Sequence, residues 1–253
     1  MFARQTGEQL VYRLHEVPPP DFRAYVLDFF SRGGRGVNVT VPHKMAAAEL
    51  ANELTPRAER AAAVNTLAIQ RDNRILGDNT DGAGLVHDLR DNLSVTLAGR
   101  RVLIVGAGGA TRGVVAPLLV LRPAQLVIAN RTADRARALA ADFQDLGAVS
   151  GCGFDDLGDV GYDVVINATS ASLAGEVPAI PVSAIQGESL CYDMAYSKGD
   201  TPFLRWAKEN GCARAVQGWG MLVEQAAESF QLWRGVRPQT RPVLDALRER
   251  AST

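Results

Sequence analysis

The stretch from Arg101 to Leu121 constrains this chain more than any other. Arg101-Val102-Leu103-Ile104-Val105 is a near-continuous apolar run, the pattern of a strand covered on both faces. It leads directly into Gly106-Ala107-Gly108-Gly109-Ala110, and Thr111 to Leu121 reads as a helix. A glycine turn in that position lets the backbone bend tightly and approach a diphosphate. The exposed N–H groups and the positive end of the following helix dipole then hold the anion. Glycines alone are weak evidence; the strand-turn-helix context is what the mechanism requires. The usual third glycine is absent, because Thr111 stands there and Gly113 comes two residues later. A tight turn without a ligand is the competing reading.

Similar texture continues downstream. Strands are expected at Gln125 to Ala129, Asp163 to Asn167 and Leu190 to Asp193, with a helix at Asp134 to Leu146. This alternation is that of a doubly wound nucleotide-binding domain. Upstream, Leu10 to Leu14 reads as a strand ended by Pro18-Pro19-Pro20, and Phe22 to Arg32 as a helix stopped at Gly33-Gly34. Gly36 to Pro42 reads as a second strand, and short helices follow at His43 to Asn52 and Arg57 to Ala62. Val64 to Gln70 and Ile75 to Gly77 suit a hairpin, and Asp81 to Asn92 a longer helix. Two helices, Met221 to Arg234 and Pro242 to Ala251, have no strand between them and should return to the first lobe. The expectation is an α/β protein of two lobes. Residues 1–80 with 218–253 should form an N-terminal α/β substrate domain, and residues 81–217 a doubly wound Rossmann dinucleotide-binding domain, with a cleft between them.

Bulk composition excludes other classes. The formal net charge is −1 over 253 residues, which gives no electrostatic case for nucleic acid or an anionic membrane as the main partner. No apolar run approaches the roughly 20 residues that span a bilayer. Met1 to Gly7 has no apolar signal region. Cys152, Cys191 and Cys212 are widely spaced and odd in number, without metal-ligand spacing. They read as reduced thiols of a cytoplasmic protein with no metal. Monomer and homodimer both stay open.

The strand after the glycine turn ends at Asn130-Arg131-Thr132. An NAD site usually places a carboxylate there for the ribose hydroxyl. Here Arg131, with Arg135 one helical turn later, offers guanidiniums suited to the 2′-phosphate of NADP. For Arg135 a solvated helix charge is an equal reading.

Three polar clusters interrupt the first lobe. Asn38 and Thr40 share a strand face by the two-residue period, with Lys44 just beyond. Asn65-Thr66 breaks an apolar stretch. Gly77-Asp78-Asn79-Thr80-Asp81-Gly82 opens the interlobe helix, where an Asp can be a plain cap. Each alone has a structural explanation.

Together these strings resemble the shikimate dehydrogenase family. The match runs through Asn38-Val39-Thr40-Val41-Pro42-His43-Lys44, Ala63-Val64-Asn65-Thr66, Asp78 to Gly82 and the glycine turn. It continues through Asn167-Ala168-Thr169-Ser170, Tyr192-Asp193-Met194-Ala195-Tyr196 and Gly220-Met221-Leu222-Val223-Glu224-Gln225-Ala226. The resemblance implies reversible reduction of 3-dehydroshikimate to shikimate by NADPH, in aromatic amino-acid biosynthesis. It makes Lys44 and Asp81 the catalytic pair. A ketone reduced by hydride gathers negative charge on oxygen, which an ammonium stabilises and protonates while a carboxylate orients it. It puts Asn38, Thr40, Asn65, Tyr196 and Gln225 on the substrate, and Met194 and Gly218 beside the nicotinamide. His43, although next to Lys44, is expected to diverge from the ligand, and Trp219 to pack at a hinge.

The sequence departs from the family in one respect. The family opens with a strand and a Ser-x-Ser motif for the substrate carboxylate, and neither is found here. Met1 to Gln5 reads as the second half of the helix that follows that motif. An exposed sheet edge and weak shikimate binding are the expectations for a chain that truly starts here. Gln217 also stands where the family commonly has Asp. Two other functions remain open: an impaired dinucleotide-binding pseudoenzyme, and a quinate or shikimate dehydrogenase using NAD.

Overall fold

A computed structural model describes residues 1–252. The first lobe opens with α1 (Phe2–Thr6), which ends on Gly7 in the left-handed conformation. An extended stretch and a 3-10 turn at Pro19–Asp21 lead to α2 (Phe22–Ser31). Then come β1 (Gly36–Asn38), α3 (Lys44–Leu50), β2 (Glu53–Leu54), α4 (Pro56–Ala61), β3 (Thr66–Ile69) and β4 (Ile75–Asp78). The sheet order is β1-β3-β4-β2. β1, β3 and β4 run antiparallel, and β2 lies parallel to β4. Local chemistry explains the breaks. Thr55 accepts the Ala58 N–H to cap α4, and Pro56 supplies its first turn. Asn73, in the left-handed region, turns the β3–β4 hairpin. Phe22 and Val26 of α2 pack with Ala47, Leu50, Val64 and Leu67 as the lobe's core.

Two expectations need correction here. Leu10 to Leu14 is not a strand: it belongs to no ladder, and Val11 is 81% and Leu14 90% exposed. Apolar alternation specifies a strand only where a neighbour supplies hydrogen bonds and a surface to bury against. The strand at Gly36 also stops at Asn38 rather than Pro42. The chain turns there, with the His43 N–H donating to the Thr40 carbonyl at 2.9 Å.

From the first sheet the chain passes into α5 (Asp81–His87), continued by one π turn at Asp88–Asn92, and on to the second lobe. It comprises β5 (Arg101–Val105), α6 (Gly109–Val120), β6 (Gln125–Ala129), α7 (Ala133–Ala141), β7 (Val149–Cys152), β8 (Val164–Asn167), β9 (Leu190–Asp193), α8 (Pro202–Glu209) and β10 (Arg214–Gln217). The six strands are parallel in the order β10-β9-β8-β5-β6-β7. The chain leaves β5 to one side and returns on the other at β8. That reversal opens a crevice at the carboxyl ends of the two strands. The expected helix to Leu146 is shorter, because α7 ends at Ala141 and a 3-10 turn follows at Gln144–Leu146.

Finally α9 (Trp219–Arg234) and α10 (Arg241–Ser252) turn back on the first lobe. Val223, Val243 and Leu244 pack with Phe2 of α1. The α5–α9 crossing is close: a methyl on Gly84 would sit 2.7 Å from the Gln225 Cβ. One ion pair binds three elements at this junction. Arg57 of α4 meets the buried Asp78 at the end of β4 at 2.5 Å and Glu228 of α9 at 3.0 Å. Burial alone would push the Asp78 carboxyl up, but the Arg57 and Thr55 hydrogen bonds hold it below its ordinary value.

Because the Asp78 carboxyl is held low in the fold, its contribution is complete above the ordinary carboxylate range. It is lost as pH falls below about 3.9. Arg57→Ala leaves that carboxylate without its cation, a cost of about 2 kcal/mol at this half-exposed arginine. Calorimetry at neutral pH should show Tm lower by roughly 4–8 °C, with the gap between variant and wild type closing in acid. Equal melting temperatures at neutral pH would show the pair to be idle.

Candidate active site

Lys44 is the first residue of α3 and Asp81 the first of α5, so both side chains start at element ends facing the junction of the lobes. The Lys44 Nζ donates to the Asp81 Oδ2 at 2.5 Å, with the two side chains only 11% and 8% exposed. Asp81 is also favoured by the positive end of its helix. Its second oxygen accepts from the Asn65 Nδ2 at 2.9 Å. The Asn65 Oδ1 accepts the Thr80 N–H at 2.9 Å and the Thr66 hydroxyl at 2.9 Å. Asn79 accepts the Asp81 N–H and donates to the Ala63 carbonyl. Gln225 reaches this floor from α9, its Oε1 lying 3.3 Å from both the Asn65 Nδ2 and the Thr80 hydroxyl.

Asn38 extends the network. Its Nδ2 donates to the Thr66 hydroxyl at 3.2 Å and to the Ser229 hydroxyl at 3.0 Å. Ser229 was not among the residues read from the sequence. The available signal was its spacing, one helical turn after Gln225 on the same face. Thr40 lies apart from the network, exposed in the turn before Lys44. Tyr196 belongs to the second lobe, its ring 4.4 Å from that of Trp219. His43 diverges from Lys44: its ring stacks on Phe22 at 4.7 Å, and its Nε2 lies 2.9 Å from the Val17 carbonyl.

The glycine turn abuts the amine. A methyl on Gly109 would lie 3.5 Å from the Lys44 Cβ. Gly106 takes a positive φ of 108°, which favours glycine, and its N–H donates to the Ala129 carbonyl at 2.7 Å. The space beside Gly108 is open, and Gly109 begins α6. Ala107 and Ala110 complete a turn with no bulky side chain. The backbone donors, the helix end and the open face fit a dinucleotide pyrophosphate. Thr111 explains the displaced third glycine, since its hydroxyl donates to the Gly106 carbonyl at 2.8 Å. Gly113 takes up another duty: a methyl there would lie 2.7 Å from the Asn79 Oδ1.

Beyond the end of β6 the Asn130 Nδ2 donates to the Thr132 carbonyl at 3.0 Å, while Arg131 and Arg135 are exposed. Two guanidiniums at this strand end suit a ribose phosphate. Met194 and Gly218 touch, and a methyl on Gly218 would lie 2.6 Å from the Met194 carbonyl oxygen. The loops around them rest on Asp193. Burial pushes its carboxyl up, although it accepts from Thr201, Ser172 and Asn167. Among the described residues no group of three or more His, Cys, Asp or Glu could hold a metal ion. None of their helices is long and apolar enough to cross a membrane.

A two-lobe α/β fold with a glycine turn at a strand-to-helix junction beside a shielded amine and acid defines a class, the dinucleotide-dependent oxidoreductases. Three family models match in order. The shikimate dehydrogenase substrate binding domain covers residues 1–67, shikimate / quinate 5-dehydrogenase residues 88–175, and the shikimate 5′-dehydrogenase C-terminal domain residues 218–248. The chain is 55% identical over 247 residues to the NADP(+) shikimate dehydrogenase of Methylococcus capsulatus, covering 98% of this chain and 88% of that protein. It is 54% identical to the NADP(+) shikimate dehydrogenase of Alkalilimnicola ehrlichii, covering 98% and 91%. Among solved structures, the Ael1 enzyme of Pseudomonas putida superimposes with a TM-score of 0.87 at 47% identity, covering 97% and 90%. Shikimate 5-dehydrogenase of Thermus thermophilus, in complex with NADP(H) and shikimate, does so at 0.84 and 30% identity, covering 99% and 91%. The chain belongs to the shikimate dehydrogenase family.

The Gly113–Asn79 contact generates a prediction. Gly113→Ala must displace Asn79, which holds the Asp81 backbone, and should lower turnover roughly 10- to 100-fold through misalignment. Steady-state rates with shikimate and NADP+ test this; a rate equal to wild type would show the seam to be tolerant.

Proposed function

We propose that this chain catalyses the reversible reduction of 3-dehydroshikimate to shikimate with NADPH, with Lys44 and Asp81 at the reacting carbonyl. The observation that carries the reading is the shielded 2.5 Å pair lying against the nucleotide turn at Gly109. NADPH, when bound, supplies the hydride. Gly106, Ala107, Gly108, Gly109 and Ala110 would hold its diphosphate. Asn130, Arg131, Thr132 and Arg135 would hold its adenosine end, and Met194 and Gly218 would line the nicotinamide. Lys44 directs its ammonium at the carbonyl oxygen and donates a proton from Nζ as negative charge develops there. Asp81 keeps the ammonium aimed, and Asn65 keeps Asp81 aimed. Lys44 regains its proton from solvent, so one proton is consumed per ketone reduced. Asn38, Thr40, Asn65, Tyr196 and Gln225 present hydroxyl and amide groups to a polyhydroxylated ring.

A dehydrogenase using NAD is opposed by Arg131 and Arg135 at the end of β6, where a ribose hydroxyl would call for a carboxylate. A pseudoenzyme is opposed by the intact Lys44–Asp81 pair. We read the chain as cytoplasmic, in keeping with three unpaired thiols, two of them buried.

Lys44→Ala should lower turnover about 10²- to 10⁴-fold, the range of a positioned proton donor, and leave NADP+ binding nearly unchanged. Absorbance at the nicotinamide band and a binding titration check the two halves. Turnover near that of wild type would refute the role of the amine. Arg131→Ala should weaken NADPH roughly tenfold or more, the value of a charge-assisted hydrogen bond, with little effect on NADH. Equal losses for both cofactors would remove the phosphate assignment.

A further inference from the structure

A second buried carboxylate lies at the far end of the interlobe helix. Asp88 follows Asp81 by two helical turns, so the two acids share one face of α5 and the π turn that continues it. Asp88 and Tyr192 of β9 are both 0% exposed, and the Tyr192 hydroxyl donates to the Asp88 Oδ2 at 2.6 Å. The other oxygen accepts from the Asn92 Nδ2 at 3.0 Å. Both donors are neutral, and neighbouring Glu224 has its own cation in Arg237 at 3.0 Å. Burial pushes the Asp88 carboxyl up, while Tyr192, Asn92 and the charge of Arg248 draw it down. Burial, and then Asp88, hold the Tyr192 hydroxyl well above its ordinary range, so it stays a donor. The third element here is α9: a methyl on Gly220 would collide with the Asp88 carboxylate, so only glycine lets the start of that helix rest on the acid. Both contacts lead to the nicotinamide side. β9 runs from Tyr192 into Asp193 and on to Met194, and β10 lies beside it with Val216 opposite Tyr192. Gly218 follows β10, its N–H donating to the Ala195 carbonyl at 3.2 Å. Met194 and Gly218 thus each stand two residues from a contact with Asp88.

We propose that Asp88 is a positioning residue for the nicotinamide: through Tyr192 and Gly220 it holds the wall formed by Met194 and Gly218 at a fixed offset from the Lys44–Asp81 pair. The inference rests on the function proposed above and deepens it. The interlobe helix is then a strut with an acid at each end, one for the reacting carbonyl and one for the ring that faces it. A carboxylate suits the second task. Its two oxygens accept from Tyr192 and Asn92 at once, and a hydrogen bond to an ionised acid is short and strong. An apolar contact in its place would fill the space but, being non-directional, would not fix β9 along the helix.

The test is a binding titration without shikimate. Its two probes are NADP+ and adenosine 2′,5′-bisphosphate, which keeps the phosphate-bearing adenosine end and lacks the nicotinamide ring. Tyr192→Phe removes only the hydroxyl. The Kd for NADP+ should rise about fivefold, the scale for residues that act on a site through a packed network, while that for the bisphosphate stays level. Asp88→Asn keeps an oxygen for Tyr192 but gives up the charge. It should move the ratio of the two affinities in the same direction by a smaller factor, and it carries the test where Tyr192→Phe is too unstable to titrate. Equal losses for both probes would mean that the cluster supports the fold at large, and an unchanged NADP+ affinity would mean that it does not reach the nicotinamide; either overturns the role of Asp88. Wild-type protein that binds neither probe would overturn the cofactor reading, and this inference with it. Failure of the proposed reaction reads out separately, as wild-type protein that binds NADP+ but leaves shikimate unoxidised.

Discussion

The ion pair between Lys44 and Asp81 joins residues 37 positions apart and nearly out of water. Either charge left alone there would cost several kcal/mol in lost hydration. The pair persists because each group is over-determined. Lys44 leaves the start of α3 at a point where the Val64 N–H clasps its carbonyl at 2.8 Å. Asp81 sits at the positive end of α5 with Asn65 on its other oxygen. The pairing therefore requires α3, the β3–β4 hairpin and α5 to be assembled together.

Asp78, Asn79, Thr80 and Asp81 are four consecutive buried polar residues. Such a run is tolerable only when every member finds a partner. Asp78 has Arg57, Asn79 has the Ala63 carbonyl, Thr80 has Asn65, and Asp81 has Lys44. Three of these partners come from the first lobe around α4 and β3, and α9 closes the set with Gln225, Glu228 and Ser229. The same helix packs on α5 and α10, so site and lobe junction share one scaffold.

Much of this was legible in the residues. The apolar run at Arg101, the glycine turn and the strands at Gln125 and Leu190 lie where their patterns put them, because buried parallel strands carry a strong local signal. β7 (Val149–Cys152) and β10 (Arg214–Gln217) were not read. Both are outer strands of four residues, and each pairs with only one neighbour. α8 was also unread, although the Thr201 cap on Leu204 with Pro202 behind it is a recognisable start. Leu10 to Leu14 shows the opposite failure, a strand pattern without a ladder to join. In the site, Lys44, Asn65 and Asp81 could be assembled from their strings. Ser229 could not, because a lone serine on an amphipathic helix has no local mark; only the tertiary contact with Asn38 and Thr66 distinguishes it.

Gly82 and Gly113 bring α5 and α6 into backbone contact. A methyl on Gly82 would stand 2.4 Å from the Gly113 carbonyl oxygen, and one on Gly113 would press on Asn79. The distance between the glycine turn and the Lys44 amine is thus gauged by two absent side chains. Any wedge at this seam would carry α6, and the glycine turn at its start, away from Lys44 by its own thickness. The spacing of turn and amine is set by what the chain leaves out at these two positions.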